Sequence, residues 1–375
     1  MTIFCKVSKM VVAKQQRERF IRTGEGTLAE PKETVHGGDI YRNPSVTDYS
    51  VNSNPLGVPE AVRKSVQESA DRIMYYPDVR CDRLRESISD FERIEKEKIL
   101  CGNGAAELFF AVVMAVRPKK ALVTAPAFSE YERALGTVGA EVQYYRLKEE
   151  QDFRIQEDIL EQITEDTDMI FLCNPNNPTG QTTEKELLIR VMNRCNKCGT
   201  ILVLDECFIE FLEEPERYEC REYLTQYPNV VIIKAFTKIF CMPGVRLGYA
   251  LCENAALRKR MRAMLQPWNV SVTAQEAGVA ALVDCEAYLK RTREYIKKEK
   301  FWMTERMRKL GLNVWGSEAN YIFFKGKAGL YEKALKSGLL IRDCSNYEGL
   351  TEGHYRIAIR SEEENERLIT WLEKL

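Results

Sequence analysis

The sequence predicts an α/β fold, with a large domain built on a mostly parallel sheet flanked by helices and a smaller C-terminal α/β domain. Short β-rich runs alternate with helical patterns along most of the chain, which is typical of parallel strands joined by helices. Near Gln266 this alternation gives way to a long amphipathic stretch followed by short strands. The 375 residues also exceed the ~250–300 at which a single hydrophobic core usually stops growing.

The large domain is expected at residues 61–265, after an N-terminal arm at 1–35 and a segment at 36–60 that joins the small domain and the active site. The arm carries more Lys and Arg than Glu and has little apolar periodicity, so we expect an extended arm or a short helix. A helix should begin near Pro59, because the fixed φ of proline suits a first helical position. The strands predicted for the large domain lie at 121–125, 141–147, 169–173, 201–204 and 230–235.

The small domain is expected at residues 266–375. Its amphipathic stretch at 274–310 predicts a long helix that ends at Gly311, and short strands are predicted at 321–324, 339–342 and 355–359. The last helix should begin at Ser361, because Glu364 follows three residues later and this spacing spells a capping box.

Composition indicates a cytoplasmic protein with a small-molecule partner. The chain has 55 basic and 56 acidic residues, so it lacks the field typical of a nucleic-acid or anionic-membrane binder. Twelve cysteines, many in apolar runs, indicate reduced thiols. No signal peptide and no apolar run of the ~20 residues needed to span a bilayer is evident. Cys195 and Cys198 have the spacing of half a zinc site, but no second pair follows, so no metal is expected.

The residues around Lys238 indicate chemistry with pyridoxal phosphate. Lys238 follows a β-rich run and stands eight positions before Arg246, and Asp205 closes another apolar run 33 positions upstream. A lysine amine can form a Schiff base, a buried acid can keep a pyridinium protonated, and an arginine can hold a phosphate. Taken alone, each of these residues is also common outside active sites. A lysine at a strand end is normally just solvated, and an aspartate there can cap the following turn.

Two loop motifs support the same chemistry. Residues 102–107, Gly-Asn-Gly-Ala-Ala-Glu, follow a strand-like run and open a helix, where free backbone amides can approach an anion. The segment is a poor match to a dinucleotide-binding fingerprint, because Glu107 stands where that motif needs its third glycine. Residues 174–180, Asn-Pro-Asn-Asn-Pro-Thr-Gly, form a rigid turn after a buried strand and can aim an amide at the phenolic oxygen of the cofactor. Each motif also has an interpretation without a ligand. The first could be only a glycine turn before a helix, and the second could be only a turn that ends a strand.

Together these motifs, with the run 243–249, resemble the fold-type I pyridoxal phosphate enzymes of the aspartate aminotransferase superfamily. The resemblance extends from about residue 36 to the C-terminus. Within the superfamily the chain is most similar to the threonine-phosphate decarboxylases of cobalamin biosynthesis, and next to the histidinol-phosphate aminotransferases. The segments that carry this finer resemblance are 36–39, 48–57, 76–78, 266–270 and 341–347.

On the cofactor side, the resemblance implies that Lys238 is the covalent anchor and that Asp205 pairs with the pyridine nitrogen. Asn177 would contact the phenolic oxygen, and Phe128 would stack on the ring. Tyr76 would reach the cofactor phosphate of the neighbouring subunit, so a homodimer with shared active sites is implied. The residues implied to hold the cofactor phosphate within one subunit are Gly104, Ala105, Thr237 and Arg246.

On the substrate side, the resemblance implies that Arg356 clamps the substrate carboxylate. The candidates for a substrate phosphate are His36, Asn54 and Arg342. Two positions depart from the pattern of the relatives. Phe208 stands where many of them have a tyrosine that holds the phenolic oxygen. Asp39 stands where the decarboxylases have asparagine, so it places a negative charge next to the expected phosphate pocket.

The catalytic residues alone leave the reaction open, because the bond held perpendicular to the ring is the one that breaks. The two arginines Arg356 and Arg342 suit a substrate with a carboxylate and a phosphate. We therefore favour decarboxylation of L-threonine O-3-phosphate or O-phosphoserine, in cobamide synthesis. Transamination of histidinol phosphate or an aromatic amino acid is the alternative. A pyridoxal-binding regulator is a remote one, since residues 1–35 are too short for a winged helix-turn-helix domain. A catalytically dead relative would have lost Lys238 or Asp205.

Overall fold

The computed structural model describes residues 36–375, and the predicted arm at 1–35 lies outside the described residues. In chain order its strands are β1 (Thr47–Asp48), β2 (Ile99–Gly102), β3 (Lys120–Ala125), β4 (Glu141–Arg146), β5 (Met169–Cys173), β6 (Ile201–Asp205), β7 (Val230–Ala235), β8 (Gly248–Cys252), β9 (Asn313–Val314), β10 (Tyr321–Lys325), β11 (Leu339–Leu340), β12 (Arg342–Asp343) and β13 (His354–Ala358). Its α-helices are α1 (Glu60–Glu68), α2 (Asp82–Glu92), α3 (Ala105–Val116), α4 (Glu130–Gly136), α5 (Ile159–Gln162), α6 (Lys185–Cys198), α7 (Phe236–Ile239), α8 (Ala255–Met264), α9 (Val272–Leu282), α10 (Glu286–Lys309), α11 (Leu330–Lys336) and α12 (Glu362–Glu373).

The main sheet has seven strands in the order β2-β8-β7-β6-β5-β3-β4. All neighbouring strands are parallel except that β8 runs antiparallel to both β2 and β7. The predicted mostly parallel sheet is therefore confirmed. Strand β8 was not predicted. It begins at Gly248, where a side chain would meet the backbone nitrogen of Ala105 at 2.6 Å, so glycine lets the strand pass close to the start of α3.

Apolar side chains cover both faces of this sheet. Successive residues of a strand point to opposite faces. Accordingly, Leu202 and Leu204 pack in one buried cluster with helices α2 and α6, while Val203 packs in another with α3 and α4. Burial on both faces explains why the strands read as continuous apolar runs.

A second sheet, in the order β12-β13-β10-β9, is antiparallel and packs on the C-terminal helices. The single strand predicted at 339–342 is instead divided. Its first half, β11, pairs in parallel with β1, and its second half, β12, pairs with β13. The division places the side chain of Arg342 next to that of Arg356 on the neighbouring strand.

The amphipathic stretch predicted as one long helix forms two helices, α9 and α10. Between them Asp284 adopts a left-handed backbone conformation with φ 49°, which turns the chain. Helix α9 packs against α1 and α2. The end of α10 before Gly311 and the capping box at Ser361 and Glu364 agree with the prediction. Among the residues described, no helix is long and apolar enough to cross a lipid bilayer.

Candidate active site

Three parallel strands end side by side, and each is followed by residues singled out in the sequence. β5 ends at Cys173 before the Asn-Pro turn, β6 ends at Asp205, and β7 ends at Ala235 before the helix that carries Lys238. The register pairs Cys173 with Asp205. Ligands of open α/β sheets bind beyond the carboxyl ends of the strands. This edge of the sheet is therefore the candidate active site.

The carboxylate of Asp205 is buried and accepts two hydrogen bonds. The hydroxyl of Tyr131 donates to Oδ2, and the main-chain N–H of Cys207 donates to Oδ1 at 2.9 Å. Burial raises the pKa of Asp205, and the hydrogen bonds from Cys207 and Tyr131 oppose that rise. A buried carboxylate of this kind is a natural partner for a cationic ring nitrogen, because an unpaired buried charge is costly.

Lys238 lies in the short helix α7, and its amine is near other cations. The main-chain N–H of Asn54 donates to the carbonyl oxygen of Lys238 at 3.0 Å. Burial, together with the guanidinium groups of Arg356 and Arg246, lowers the pKa of Lys238 to about 8. A substantial fraction of the amine is therefore neutral near physiological pH and can act as a nucleophile.

The turn at 102–104 and the start of α3 form an anion cradle. The first N–H groups of a helix have no intrahelical partner, and α3 begins at Ala105. Gly104 has φ 85°, and a Cβ at this position would collide with the guanidinium of Arg246. Glu107 steadies the turn, because its carboxylate accepts from the Asn103 N–H at 2.6 Å.

These residues fit the phosphate of pyridoxal phosphate. Arg246 reaches the cradle at Gly104, and within the described residues it forms no salt bridge and donates only to the carbonyl of Pro243 at 3.1 Å. Thr237 is buried next to Lys238. Free amides, a hydroxyl and an unpaired guanidinium are the donors that a phosphate requires.

Phe128, the residue predicted to stack on the cofactor ring, lies against Tyr131. The centroids of these two side-chain rings are 5.8 Å apart and their planes are 84° apart. Tyr131 was not among the residues predicted for the site. The signal that could have found it is its spacing, since it stands three residues after Phe128 at the start of a helix. Phe208 packs edge-on against Tyr321 at 5.3 Å and offers no donor, as its residue type requires.

Arg356 and Asn177 lie in contact. Nη1 of Arg356 donates to Oδ1 of Asn177, and Nη2 donates to the carbonyl oxygen of Ser50 at 2.8 Å. The Nε of Arg356 is buried without a partner, and its guanidinium lies 5.3 Å from the ring of Tyr321. Arg356, predicted to bind the substrate carboxylate, is thus hydrogen-bonded to Asn177, predicted to contact the phenolic oxygen.

Arg342 is also buried and is oriented by neighbours on the loop that follows β12. Its Nη2 donates to Oδ1 of Asn346 at 2.9 Å, and its guanidinium lies 5.1 Å from the ring of Tyr347. Among the described residues, neither Arg342 nor Arg356 has a carboxylate partner. Two buried cations side by side are unfavourable unless an anion lies between or beside them.

The other residues predicted for a substrate phosphate are arranged differently. Nε2 of His36 lies 3.2 Å from Oε1 of Glu130, and half of the His36 side chain is exposed. The amide nitrogen of Asn54 donates to the Ile239 carbonyl and to Oγ1 of Thr292, both at 2.8 Å, and Oδ1 of Asn54 accepts from the Leu56 N–H. The bonding groups of Asn54 are therefore occupied by the chain itself.

Tyr76 lies on an exposed segment. It is 79% exposed and stacks on Trp268 with ring centroids 4.5 Å apart. Within the described residues Tyr76 makes no hydrogen bond, so its predicted role depends on a neighbouring subunit. Asp39, the second departure from the pattern of the relatives, forms an exposed ion pair with Arg42 at 3.2 Å.

Comparison with known proteins gives a consistent result. The sequence profile of the family "Aminotransferase class I and II" matches residues 44–372. The threonine-phosphate decarboxylase of Salmonella typhimurium is 35% identical over 351 residues, which cover 90% of this chain and 96% of that protein.

Two solved structures are similar over most of the described chain. The histidinol-phosphate aminotransferase from Clostridium acetobutylicum superposes with a TM-score of 0.81 and 31% identity, over 87% of this chain and 98% of that one. The L-threonine-O-3-phosphate decarboxylase from Porphyromonas gingivalis superposes with a TM-score of 0.77 and 26% identity, over the same two shares.

Proposed function

The chain belongs to the aminotransferase class I and II family, and from this premise we propose that it decarboxylates an O-phosphorylated hydroxy amino acid. The proposed substrate is L-threonine O-3-phosphate, giving aminopropanol phosphate, or O-phosphoserine, giving ethanolamine phosphate, in cobamide synthesis. The chain is an enzyme, and enzymes of this family use pyridoxal phosphate. The 35% identity with the threonine-phosphate decarboxylase of Salmonella typhimurium supports this choice of reaction.

The proposed substrate class rests on two arginines that have no carboxylate partner among the described residues. Arg342 and Arg356 are buried, stand opposite each other on β12 and β13, and have no carboxylate partner among the described residues. Like charges directly opposite on a sheet destabilise it. A ligand with two anionic groups would place a carboxylate on Arg356 and a phosphate on Arg342. Its bidentate hydrogen bonds would offset both the burial of unpaired charge and the repulsion between the two arginines.

The fold alone does not choose between decarboxylation and transamination. The solved aminotransferase superposes slightly better than the solved decarboxylase, with TM-scores of 0.81 and 0.77. The first of these comparisons favours transamination of histidinol phosphate as the second candidate. Both candidate substrates carry a phosphate, so Arg342 suits either, and the substrate carboxylate is the group that differs.

The protein residues have separable roles in the proposed reaction. When bound, pyridoxal phosphate accepts the electrons of the bond that breaks at the substrate Cα. Lys238 would hold the cofactor through its amine and, once the substrate amine has taken its place, would be free to move a proton at Cα, which its lowered pKa of about 8 permits. Asp205 holds the ring nitrogen in its protonated form, and the cradle around Gly104 and Arg246 holds the phosphate.

Orientation of the substrate decides which bond breaks. Arg356 donates to Asn177 and to the carbonyl of Ser50, so its guanidinium is fixed relative to the candidate ring site. Arg342 is fixed separately by Asn346 and Tyr347. Two fixed anchors set the tilt of a dianionic substrate, and a tilt that raises the carboxylate out of the ring plane selects decarboxylation.

We propose that these groups come from two domains. The seven-stranded sheet, which supplies Asp205 and precedes Lys238, lies within the proposed large domain at 61–265. The four-stranded sheet that supplies Arg342 and Arg356 lies within the proposed small domain at 266–375. A substrate that binds both sheets would hold the two domains together around itself.

We also propose a cytoplasmic homodimer with shared active sites. An exposed apolar segment supports the dimer: Ile73, Met74, Tyr75, Tyr76 and Val79 are each more than half exposed, and Trp268 stacks beside them. Exposed apolar patches of this kind mark contact surfaces. The cytoplasmic location is supported by cysteine chemistry, since all eleven cysteines in the described residues are free thiols.

The reaction is tested with purified holoenzyme and either O-phosphothreonine or O-phosphoserine, with and without 2-oxoglutarate. We expect carbon dioxide to be released at the same rate in the absence of the keto acid. Formation of glutamate that requires 2-oxoglutarate, from these substrates or from histidinol phosphate, would instead establish an aminotransferase. Serine and threonine without phosphate are the matched controls, and they should react much more slowly.

A further inference from the structure

Asp205, the acid at the candidate ring site, accepts a hydrogen bond from a buried tyrosine. Tyr131 donates its hydroxyl proton to Oδ2 of Asp205, and its ring is completely buried. The second oxygen, Oδ1, accepts from the Cys207 N–H, so the carboxylate is held at both ends. Besides Tyr131, the side-chain donors beside Asp205 are the thiols of Cys173 and Cys207, which are weak donors.

Aromatic packing fixes the Tyr131 ring. It stacks on Phe171 with centroids 4.9 Å apart and planes 11° apart, and it meets Phe109 edge-on at 5.0 Å. It also meets Phe128 edge-on at 5.8 Å. A hydroxyl on a ring with so little freedom can orient the group that it binds.

We propose that Tyr131 is a positioning residue that keeps the Asp205 carboxylate ionised and aimed at the ring nitrogen of bound pyridoxal phosphate. The physical reason is that a hydrogen bond to a buried carboxylate stabilises its charged form against the cost of burial. An ionised Asp205 would leave the proton on the ring nitrogen of the bound cofactor, the form that suits its chemistry. The proposal rests on the cofactor assignment and not on decarboxylation, so it holds for either reaction.

A purely structural role for Tyr131 makes a different prediction. In that case the hydroxyl would only satisfy its own need for a partner in the interior, and its loss would weaken the fold without a specific effect on the ring nitrogen. The chain offers a matched control for this reading. Tyr145 is also buried and donates its hydroxyl to a carboxylate, that of Asp158, in another part of the domain.

The first measurement is the ¹⁵N chemical shift of ring-labelled pyridoxal phosphate in the holoenzyme of wild type, Tyr131→Phe and Tyr145→Phe. In Tyr131→Phe the carboxylate loses a donor and takes a larger share of the ring proton, so the shift should move toward the value of neutral pyridine. Tyr145→Phe should leave it unchanged. An unchanged shift in Tyr131→Phe would overturn the proposal.

The second measurement compares pyridoxal phosphate with 1-deazapyridoxal phosphate, which has carbon in place of the ring nitrogen. We expect the preference of the protein for pyridoxal phosphate, as a ratio of dissociation constants, to fall several-fold in Tyr131→Phe and to persist in Tyr145→Phe. Equal weakening of both compounds would assign Tyr131 a structural role and reject the proposal. Because no substrate is added, failure here is distinguishable from failure of the proposed reaction.

Discussion

Arg342 and Arg356 are directly opposite each other on two antiparallel strands, and neither has a carboxylate partner among the described residues. We predict that Arg342→Gln raises the KM for O-phosphothreonine about tenfold to a hundredfold, as expected for the loss of a charged hydrogen bond worth ~1.5–3 kcal/mol. Threonine, which lacks the phosphate, should be affected much less. Steady-state kinetics with both compounds give the comparison, with the exposed Arg306→Gln as control.

The same arrangement predicts an opposite effect on stability. Removing one of two facing like charges relieves repulsion of roughly 0.2–1 kcal/mol, so Arg342→Gln should unfold at a slightly higher denaturant concentration than the ligand-free wild type. Added phosphorylated substrate should reverse this order. A variant that loses stability and binds both substrates equally poorly would remove Arg342 from the proposed phosphate site.

Asn54 connects the candidate site to the long helix α10. Its side-chain nitrogen bonds the Ile239 carbonyl and Thr292, and its N–H bonds the Lys238 carbonyl. We predict that Asn54→Ala lowers the free energy of unfolding by ~1–3 kcal/mol, since buried polar partners are left unsatisfied. Turnover of phosphorylated and unphosphorylated substrates should fall by the same factor. A selective loss on phosphorylated substrates would instead favour the phosphate contact expected from the sequence.

The exposed segment around Tyr76 predicts self-association. Met74 is 76% exposed beside Tyr75 and Tyr76, and burial of such a side chain in a contact is worth ~1.5–3 kcal/mol. We expect Met74→Glu to shift the sedimentation coefficient toward that of a monomer and to weaken binding of pyridoxal phosphate, because a partner tyrosine is lost. Val283→Glu, at an exposed apolar residue elsewhere, should do neither.

Glu206 predicts a pH dependence of stability. Both of its oxygens are buried without partners, while nearby Lys234 bonds Glu92 and Glu210 at 2.9 Å. Burial, only partly opposed by Lys234, raises the pKa of Glu206 from 4.5 to about 8. The folded protein then binds a proton that the unfolded chain releases, so this contribution to stability is complete below pH 4.5 and is lost as the pH rises to about 8.

Glu206→Gln tests this directly, because glutamine imitates the protonated acid at every pH. Its stability relative to the wild type should increase between pH 4.5 and 8 and then remain constant. Urea unfolding at several pH values measures the difference, with the exposed Glu161→Gln as control. A difference that does not change with pH would show that Glu206 is ionised throughout.

The sequence predicted the strands whose apolar signal is continuous. The bounds of β5 and β7 agree with those expected, because both are buried on their two faces and end at distinctive turns. The motif residues beyond those strands also meet at one edge of the sheet, as parallel strands require. Features set by local sequence patterns, the buried strands and the turns that follow them, could therefore be predicted.

Contacts between distant residues were not available in the same way. The bond from Tyr131 to Asp205 joins residues 74 positions apart, and that from Asn54 to Thr292 joins residues 238 apart. The division of 339–342 between two sheets likewise depends on which strands lie beside it. No spacing rule within a segment specifies such partners, because tertiary packing decides them.

The lowered pKa of Lys238 predicts how fast the protein captures its cofactor. Burial and then the Arg356 guanidinium lower that pKa to about 8, and only the neutral amine attacks an aldehyde. The rate of covalent attachment, followed by absorbance after mixing cofactor-free protein with pyridoxal phosphate, should therefore rise with a midpoint near pH 8. Arg356→Gln should move the midpoint upward, because a neighbouring positive charge is removed, while Arg306→Gln should leave it in place. A midpoint that is the same in all three proteins would mean that Arg356 does not contribute to the lowered pKa of Lys238.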